Sequence, residues 1–183
     1  MPFTPFHLGP GGIFKALGGR YFSFMVFGFS QVAMDIEVLV RMYRDDAILH
    51  GFTHTYVGAT LIGILSLLIG KPICECCLRL WNEAVSRKGY PRFHIGPRIS
   101  WLAALTGAMI GTYSHVFLDS FMNTDMRPLA PFSDANPLLG LISADYLYLL
   151  CVGLGGLAAV LLLIISSWRK YAPEAIREKI ERS

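Results

Sequence analysis

Apolar residues along this chain group into four long stretches separated by shorter polar segments. We predict transmembrane helices over residues 21–40, 49–70, 99–121 and 145–168. Each stretch has about the 20 helical residues that the hydrocarbon core of a membrane requires at about 1.5 Å per residue. The last stretch is the clearest, since it contains no charged residue between Leu147 and Trp168. The pattern therefore predicts an all-α integral membrane protein, a single-domain bundle of about four transmembrane helices.

The composition excludes several other classes of protein. Of the 183 residues, 54% are hydrophobic and 16% are charged, and the mean hydropathy is +0.49. A soluble domain usually has about 25% charged residues. The net charge of +3 is too small to indicate nucleic-acid binding. We therefore expect membrane lipid around the chain and no nucleic-acid partner.

The distribution of lysine and arginine predicts the orientation in the membrane. Six of these residues lie between the second and third stretches, in residues 71–98, and five lie in the tail, residues 169–183. The segment 122–144 contains only Arg127. Because cytoplasmic loops are enriched in Lys and Arg, we predict that 71–98 and 169–183 are cytoplasmic and that 122–144 is an outer loop. Both termini are then expected in the cytoplasm.

Histidine and carboxylate residues recur near the ends of the apolar stretches. His50 and His54 open the second stretch, and His115 and Asp119 close the third. On a helix, an i, i+4 pair projects from one face, about 6 Å apart along the axis. That spacing can present two ligands to one metal ion or to two neighbouring ions.

The predicted topology brings such residues from three helices to one depth near the outer face. Asp35 and Glu37 lie in the first stretch, which runs outward like the third. Ionisable groups inside a membrane are costly, so they are normally paired, metal-bound or in contact with water. Imidazole and carboxylate ligands suit zinc, manganese or iron. The pattern thus predicts a site for one or two divalent metal ions.

Two other interpretations of these residues stay open. In a transporter or channel-like protein, the same His and Asp groups would carry protons or cations across the membrane. In a non-catalytic membrane protein, they would hold a structural metal. Metal analysis separates the first interpretation from the metal-site hypotheses, and only an activity measurement separates a structural metal from a catalytic one.

Four segments of the chain resemble a known family. Residues 4–9, 34–37, 50–55 and 114–119 read TPFHLG, MDIE, HGFTHT and SHVFLD. They occur in the order seen in small inner-membrane metal-dependent hydrolases, a family named for a LexA-regulated bacterial member and distantly similar to the all-helical zinc-dependent phospholipases C. The resemblance covers about residues 4–140. It implies a bacterial inner-membrane location, zinc as the expected ion, and as metal ligands His7, Asp35, His50, His54, His115 and Asp119.

His7 can lie close to the other implied ligands only if the chain reverses direction between residue 7 and Asp35. A continuous helix from residue 7 would place His7 about 40 Å from Asp35. We expect the run Gly9-Pro10-Gly11-Gly12 to break the helix, so that residues 1–12 fold back between the spans.

The chemistry that these residues indicate is metal-assisted hydrolysis. A bound divalent ion lowers the pKa of a water molecule and polarises the bond to be broken. Glu37 or Asp125 is the expected general base. Arg127 is expected to bind a phosphate group, with a role as an interfacial anchor as the alternative. Because the apolar, proline-containing outer loop is expected in the headgroup layer, we predict a lipid-like or phosphorylated substrate.

Overall fold

The computed structural model describes residues 4–171, and the regular structure in that range is entirely helical, as predicted. It contains the α-helices α1 (Thr4–Gly18), α2 (Phe24–Tyr43), α3 (Tyr56–Leu65), α4 (Lys71–Arg87), α5 (Trp101–Ser120) and α6 (Ala144–Tyr171). A π-helical turn, Ser66–Gly70, joins α3 to α4. Short 3-10 turns lie at Gly19–Tyr21, Phe52–His54 and Pro91–Phe93.

Three helical segments of the described chain are long and apolar enough to cross a membrane. They are Tyr56–Arg87, Trp101–Ser120 and Ala144–Trp168. The predicted span 21–40 corresponds to α2, which has 20 residues but carries Asp35, Glu37 and Arg41 in its second half. α2 is not among the three apolar segments, and it packs lengthwise against α5.

The helix predicted to begin at residue 49 begins later, at Tyr56. His50 precedes the 3-10 turn and His54 is the last residue of it, so neither lies on an α-helix. The Thr55 side chain caps α3 by accepting a hydrogen bond from the backbone N–H of Gly58. The prediction that His50 and His54 share one face of a helix is therefore wrong.

The same helix also ends later than predicted. It continues through Lys71 and Pro72 to Arg87, so the first part of the predicted loop 71–98 is helical. Pro72 lacks a backbone N–H and is tolerated because it lies in the first turn of α4, just after the π-helical turn in which the hydrogen-bond register of the helix changes.

The expected break at Gly9-Pro10-Gly11-Gly12 is not present, since α1 is continuous through that run. A Cβ atom at Gly9 would lie 2.0 Å from the carbonyl oxygen of Cys151 in α6. At Gly11 it would lie 2.3 Å from the Phe27 ring in α2. The glycines thus permit α1 to pack closely against two helices.

The chain reverses after α1 instead. Gly19 adopts a positive φ of 49°, which glycine reaches without steric cost. The Lys15 Nζ closes this turn by donating hydrogen bonds to the carbonyl oxygens of Gly19 and Phe22, at 2.8 and 3.1 Å. The reversal lets α2 return toward the end of the bundle where α1 began.

α1 and α6 run parallel to each other. Gly9 lies against Cys151, and one turn further along Gly12 lies against Ala158. Residue 4 is therefore at the end of the bundle where α6 begins, and residue 171 is at the opposite end. Which side of the membrane each terminus faces stays a prediction. The rest of the predicted tail, after residue 171, lies outside the described residues.

α2 and α5 also run parallel and pack through small residues. The backbone N–H of Ser23 donates to the carbonyl oxygen of Ala103 at the start of this interface. Further along, a Cβ at Gly107 would lie 2.4 Å from the Ser23 carbonyl oxygen, and a Cβ at Gly111 would lie 2.0 Å from Ser30 Oγ. This close contact sets the relative depth of the polar residues that follow on each helix.

We predict that Gly107→Ala destabilises the protein by roughly 1–3 kcal/mol, because the added methyl group meets backbone atoms of α2 that have no rotamer to adjust. The measurement is the midpoint of thermal unfolding in detergent. Gly153→Ala is the matched control, since a Cβ at Gly153 on α6 meets no atom within 4 Å. Equal midpoints for the two variants would contradict this account of the interface.

Candidate metal centre

Six side chains from four parts of the chain meet at one end of the bundle. Their potential ligand atoms form three groups, and within each group the atoms lie within 4.8 Å of one another. We call the six residues the His/Asp cluster: His7, Asp35, His50, His54, His115 and Asp119. Five of them are buried, and Asp35 is partly buried. These are the six residues that the family resemblance implied as ligands.

α5 and α2 supply the centre of the cluster. His115 and Asp119 lie one turn apart on α5, and His115 Nε2 is 3.3 Å from Asp119 Oδ2. Asp35 projects from α2 toward α5, with its Oδ1 at 3.2 Å from the same His115 nitrogen. The helical spacing of His115 and Asp119 therefore has the geometry that the sequence predicted.

The segment before α3 supplies two further imidazoles. His50 Nε2 and His54 Nε2 lie 3.9 and 3.7 Å from Asp119 Oδ2, and the two rings meet edge to face. The backbone N–H of Tyr56 donates to the Pro128 carbonyl oxygen at 2.9 Å, which ties this segment to the loop after α5. The segment with the 3-10 turn thus places both His50 and His54 beside Asp119, as was expected of a helix.

His7 completes the cluster from the first turn of α1. It is 2% exposed, and its Nε2 lies 3.5 Å from Asp119 Oδ1. Its ring packs edge-on against that of His115, with 4.8 Å between the ring centroids. The reversal at Gly19, rather than a break within α1, permits this position because α1 begins beside the end of α5.

Asp125 orients His50. His50 Nδ1 lies 2.8 Å from Asp125 Oδ1, and the backbone N–H groups of Leu49 and His50 donate to Oδ2 at 2.8 and 3.0 Å. Burial acts to raise the pKa of Asp125, but these hydrogen bonds outweigh it and hold the pKa below its usual value. The carboxylate therefore accepts a hydrogen bond from Nδ1–H and leaves the Nε2 lone pair of His50 directed into the cluster.

Glu37 orients His54 through a hydroxyl group. Glu37 Oε2 accepts hydrogen bonds from the Thr53 backbone N–H at 2.8 Å and from Thr53 Oγ1 at 2.5 Å. Since the hydroxyl proton is donated to Glu37, Thr53 Oγ1 accepts from His54 Nδ1, which is 3.0 Å away. His54 Nε2 is then the unprotonated nitrogen, and it faces the cluster.

Gln31 orients His115, and sequence reasoning missed it. Its Nε2 donates to the Gly111 carbonyl oxygen at 3.1 Å, which directs Oε1 toward His115 Nδ1 at 2.6 Å. The signal in the sequence was its position four residues before Asp35, on the same face of α2. Thr53 was missed as well, although it stands between the two histidines of its motif.

Several inward-facing atoms of the cluster have no hydrogen-bond partner. They are buried and comprise His7 Nε2, His54 Nε2, His115 Nε2 and Asp119 Oδ1. Buried polar atoms are normally satisfied, because an unsatisfied one costs about 1–3 kcal/mol. Lone pairs of imidazole and carboxylate aimed at one another repel unless a proton or a metal cation lies between them. The donor set therefore fits a divalent metal ion of the zinc, manganese or iron type.

Arg127 lies outside the cluster. It is exposed and its NH1 pairs with Asp134 Oδ1 at 3.1 Å. Together with His50 and Asp125, it borders a cavity of about 350 Å³ at the end of the bundle. Arg127 is therefore near the cluster without touching its atoms.

Comparison with known proteins identifies a family. A family model described as YdjM inner membrane protein matches residues 22–176. The chain belongs to the YdjM inner membrane protein family. The chain has no match among the curated proteins or the solved structures to which it was compared. Membership of an inner-membrane family agrees with the apolar helices and with the predicted location in the inner membrane.

Metal content tests the cluster directly. We predict that the purified protein holds at least about one equivalent of transition metal, and that His54→Ala and Asp119→Ala each reduce it below about 0.2 equivalents by removing a shared ligand. The measurement is elemental analysis by mass spectrometry after growth with added metal. His94→Ala is the control, because His94 lies far along the chain from the cluster and contacts Ser86. Equal metal content in all four proteins would contradict the site.

The role of Asp125 in orienting His50 is tested separately. We predict that Asp125→Asn weakens metal affinity about 10- to 100-fold without unfolding the protein, since the amide no longer provides the charged acceptor for His50 Nδ1. Competition with a fluorescent chelator measures the affinity. Asp145→Asn, an exposed position at the start of α6, is the matched control. An unchanged affinity for Asp125→Asn would show that Asp125 has no such role.

Proposed function

We propose that this protein is a membrane-embedded metal-dependent hydrolase that acts on a phosphoester or another amphiphilic substrate near the outer leaflet. One observation carries the proposal. Buried Nε2 and carboxylate lone pairs converge at one point without partners, while the opposite sides of three of the histidine rings are held by Asp125, Thr53 and Gln31. Such preorganisation is typical of a metal site.

The residues of the chain divide into those that hold the ion and those that orient its ligands. The His/Asp cluster would supply nitrogen and oxygen ligands to one or two ions. A bound ion of this type lowers the pKa of a water molecule toward neutrality and polarises the bond to be broken. Glu37 and Asp125 fix the histidine tautomers, so that no proton occupies the inward-facing nitrogens of His54 and His50.

Asp125 is the better placed of the two candidate general bases. It borders the cavity at the end of the bundle together with His50, and its side chain is 24% exposed. Glu37 does not border that cavity. We therefore assign proton transfer at the cavity to Asp125 and a purely positioning role to Glu37.

The packing beneath the cluster favours hydrolysis over transport. A route for protons or cations would have to continue between α2 and α5 toward the other end of the bundle. That interface is closed by backbone contacts at Gly107 and Gly111 and by the buried residues Val26, Ala104 and Ala108. Among the described residues, the α2/α5 interface therefore offers no open route from the cluster to the other end of the bundle.

The charges support a cluster near the outer leaflet. Lys15, Arg20 and the segment 88–98 all lie at the end of the bundle opposite the cluster, because α1 and the long helix 56–87 both run away from it. By the positive-inside rule that end faces the cytoplasm. In this arrangement α1 and α2 cross the membrane together with the three apolar helical segments, and residue 4 lies on the outer side.

Hydrolysis is tested with protein in lipid nanodiscs supplied with zinc, manganese or iron, using a panel of phosphate monoesters, phosphate diesters and phospholipids. We predict turnover of at least one phosphoester that His115→Ala lowers at least about 100-fold, because His115 belongs to two of the ligand groups. His94→Ala is expected to retain wild-type turnover. If the metal-loaded protein shows no turnover that depends on His115, the enzyme proposal is wrong.

A further inference from the structure

The cavity beside the cluster has a defined chemical character. It has a volume of about 350 Å³ and lies between the end of α2, the segment before α3 and the loop after α5. One wall is formed by His50 and Asp125, which connects it to the His/Asp cluster. Two arginines from different parts of the chain, Arg41 and Arg127, also border it. The remaining lining is largely apolar and includes Ile48, Phe52 and Pro131.

Arg41 is held rigidly at this cavity. Its Nε and NH2 contact Glu37 Oε1 at 3.0 and 2.9 Å, and its NH1 donates to the Ile48 carbonyl oxygen at 3.3 Å. A guanidinium group has five N–H donors, so these three contacts leave two donors for another acceptor. Its side chain is 32% exposed. A guanidinium fixed in this way loses little conformational entropy when it binds an anion.

Arg127 differs because its only described polar contact is weak. Its NH1 pairs with Asp134, and both side chains are mostly exposed. Exposed ion pairs contribute about 0–1 kcal/mol, so an anion of higher charge density can displace Asp134. Arg127 therefore provides a second cation that can turn toward a bound group without a large loss of stability.

We propose that this cavity is a phosphate-binding subsite in which Arg41 and Arg127 together hold an anionic phosphate group of the substrate. The proposal rests on the proposed function and names its substrate class, a phosphate-bearing molecule with an apolar portion. Planar guanidinium groups match the geometry of phosphate oxygens. The apolar lining, with Phe52 half exposed beside it, accepts the part of the molecule next to the phosphate.

A soluble phosphate ester and a phosphorylated lipid share this chemistry. The experiment therefore titrates the metal-loaded protein in detergent with glycerol 3-phosphate by calorimetry, and in parallel with phosphatidic acid in mixed micelles, using phosphatidylcholine as the neutral-headgroup comparison. Binding in either of the first two titrations that weakens in the arginine variants described below supports the subsite, and the tighter of the two identifies the source of the phosphate.

The variants are Arg127→Gln and Arg41→Lys, the second chosen because a lysine retains a positive charge beside Glu37. We expect each variant to weaken phosphate binding about tenfold or more, because each loses a hydrogen bond between a guanidinium group and the charged phosphate. Metal content is measured in parallel and is expected to stay at the wild-type level. Arg44→Gln is the matched control, because Arg44 is an exposed arginine near the end of α2 that does not border the cavity.

The outcomes separate this subsite from the proposed function. Wild-type affinity in both variants, or no phosphate binding by the wild-type protein, overturns the subsite even if the protein binds metal and hydrolyses a phosphoester. Arginine-dependent phosphate binding in a protein that holds no metal supports the subsite and overturns the hydrolase proposal.

Discussion

The structure depends on the burial of four imidazoles and two carboxylates in one place. Inward-facing atoms of His7, His54, His115 and Asp119 have no hydrogen-bond partner, so a cation bound between them would stabilise the arrangement. The rest of the fold holds these groups in position. The glycines of α1 bring His7 close, and the small residues between α2 and α5 fix the depth of Asp35 relative to His115.

Side chains on the outward-facing side of the cluster orient its histidines. Asp125, Glu37 and Gln31 each determine the protonated nitrogen of one histidine, directly or through Thr53. Of these, Asp125 alone also borders the cavity. In the proposed mechanism, metal binding, proton transfer and substrate access therefore meet at His50 and Asp125, which are joined by two hydrogen bonds.

Much of this arrangement was predictable from local patterns, and the exceptions have physical causes. α5 and α6 follow the predicted spans closely because long apolar runs in helices are unambiguous. His50 and His54 lie in a 3-10 turn, which the same spacing cannot distinguish from an α-helix. Pro72 and the glycines of α1 resemble helix breaks in sequence, but a π-helical turn and close packing accommodate them. The role of Gln31 could be recognised only from its contact with His115 in the folded structure.

The most direct test of the account is anomalous X-ray scattering from crystals of the protein grown with zinc, manganese or iron. We predict at least one anomalous peak inside the His/Asp cluster, within bonding distance of Asp119 and of imidazole Nε2 atoms, about 2.0–2.2 Å for zinc. The absence of any peak there, with the histidine rings turned so that Nε2 points out of the cluster, would contradict it.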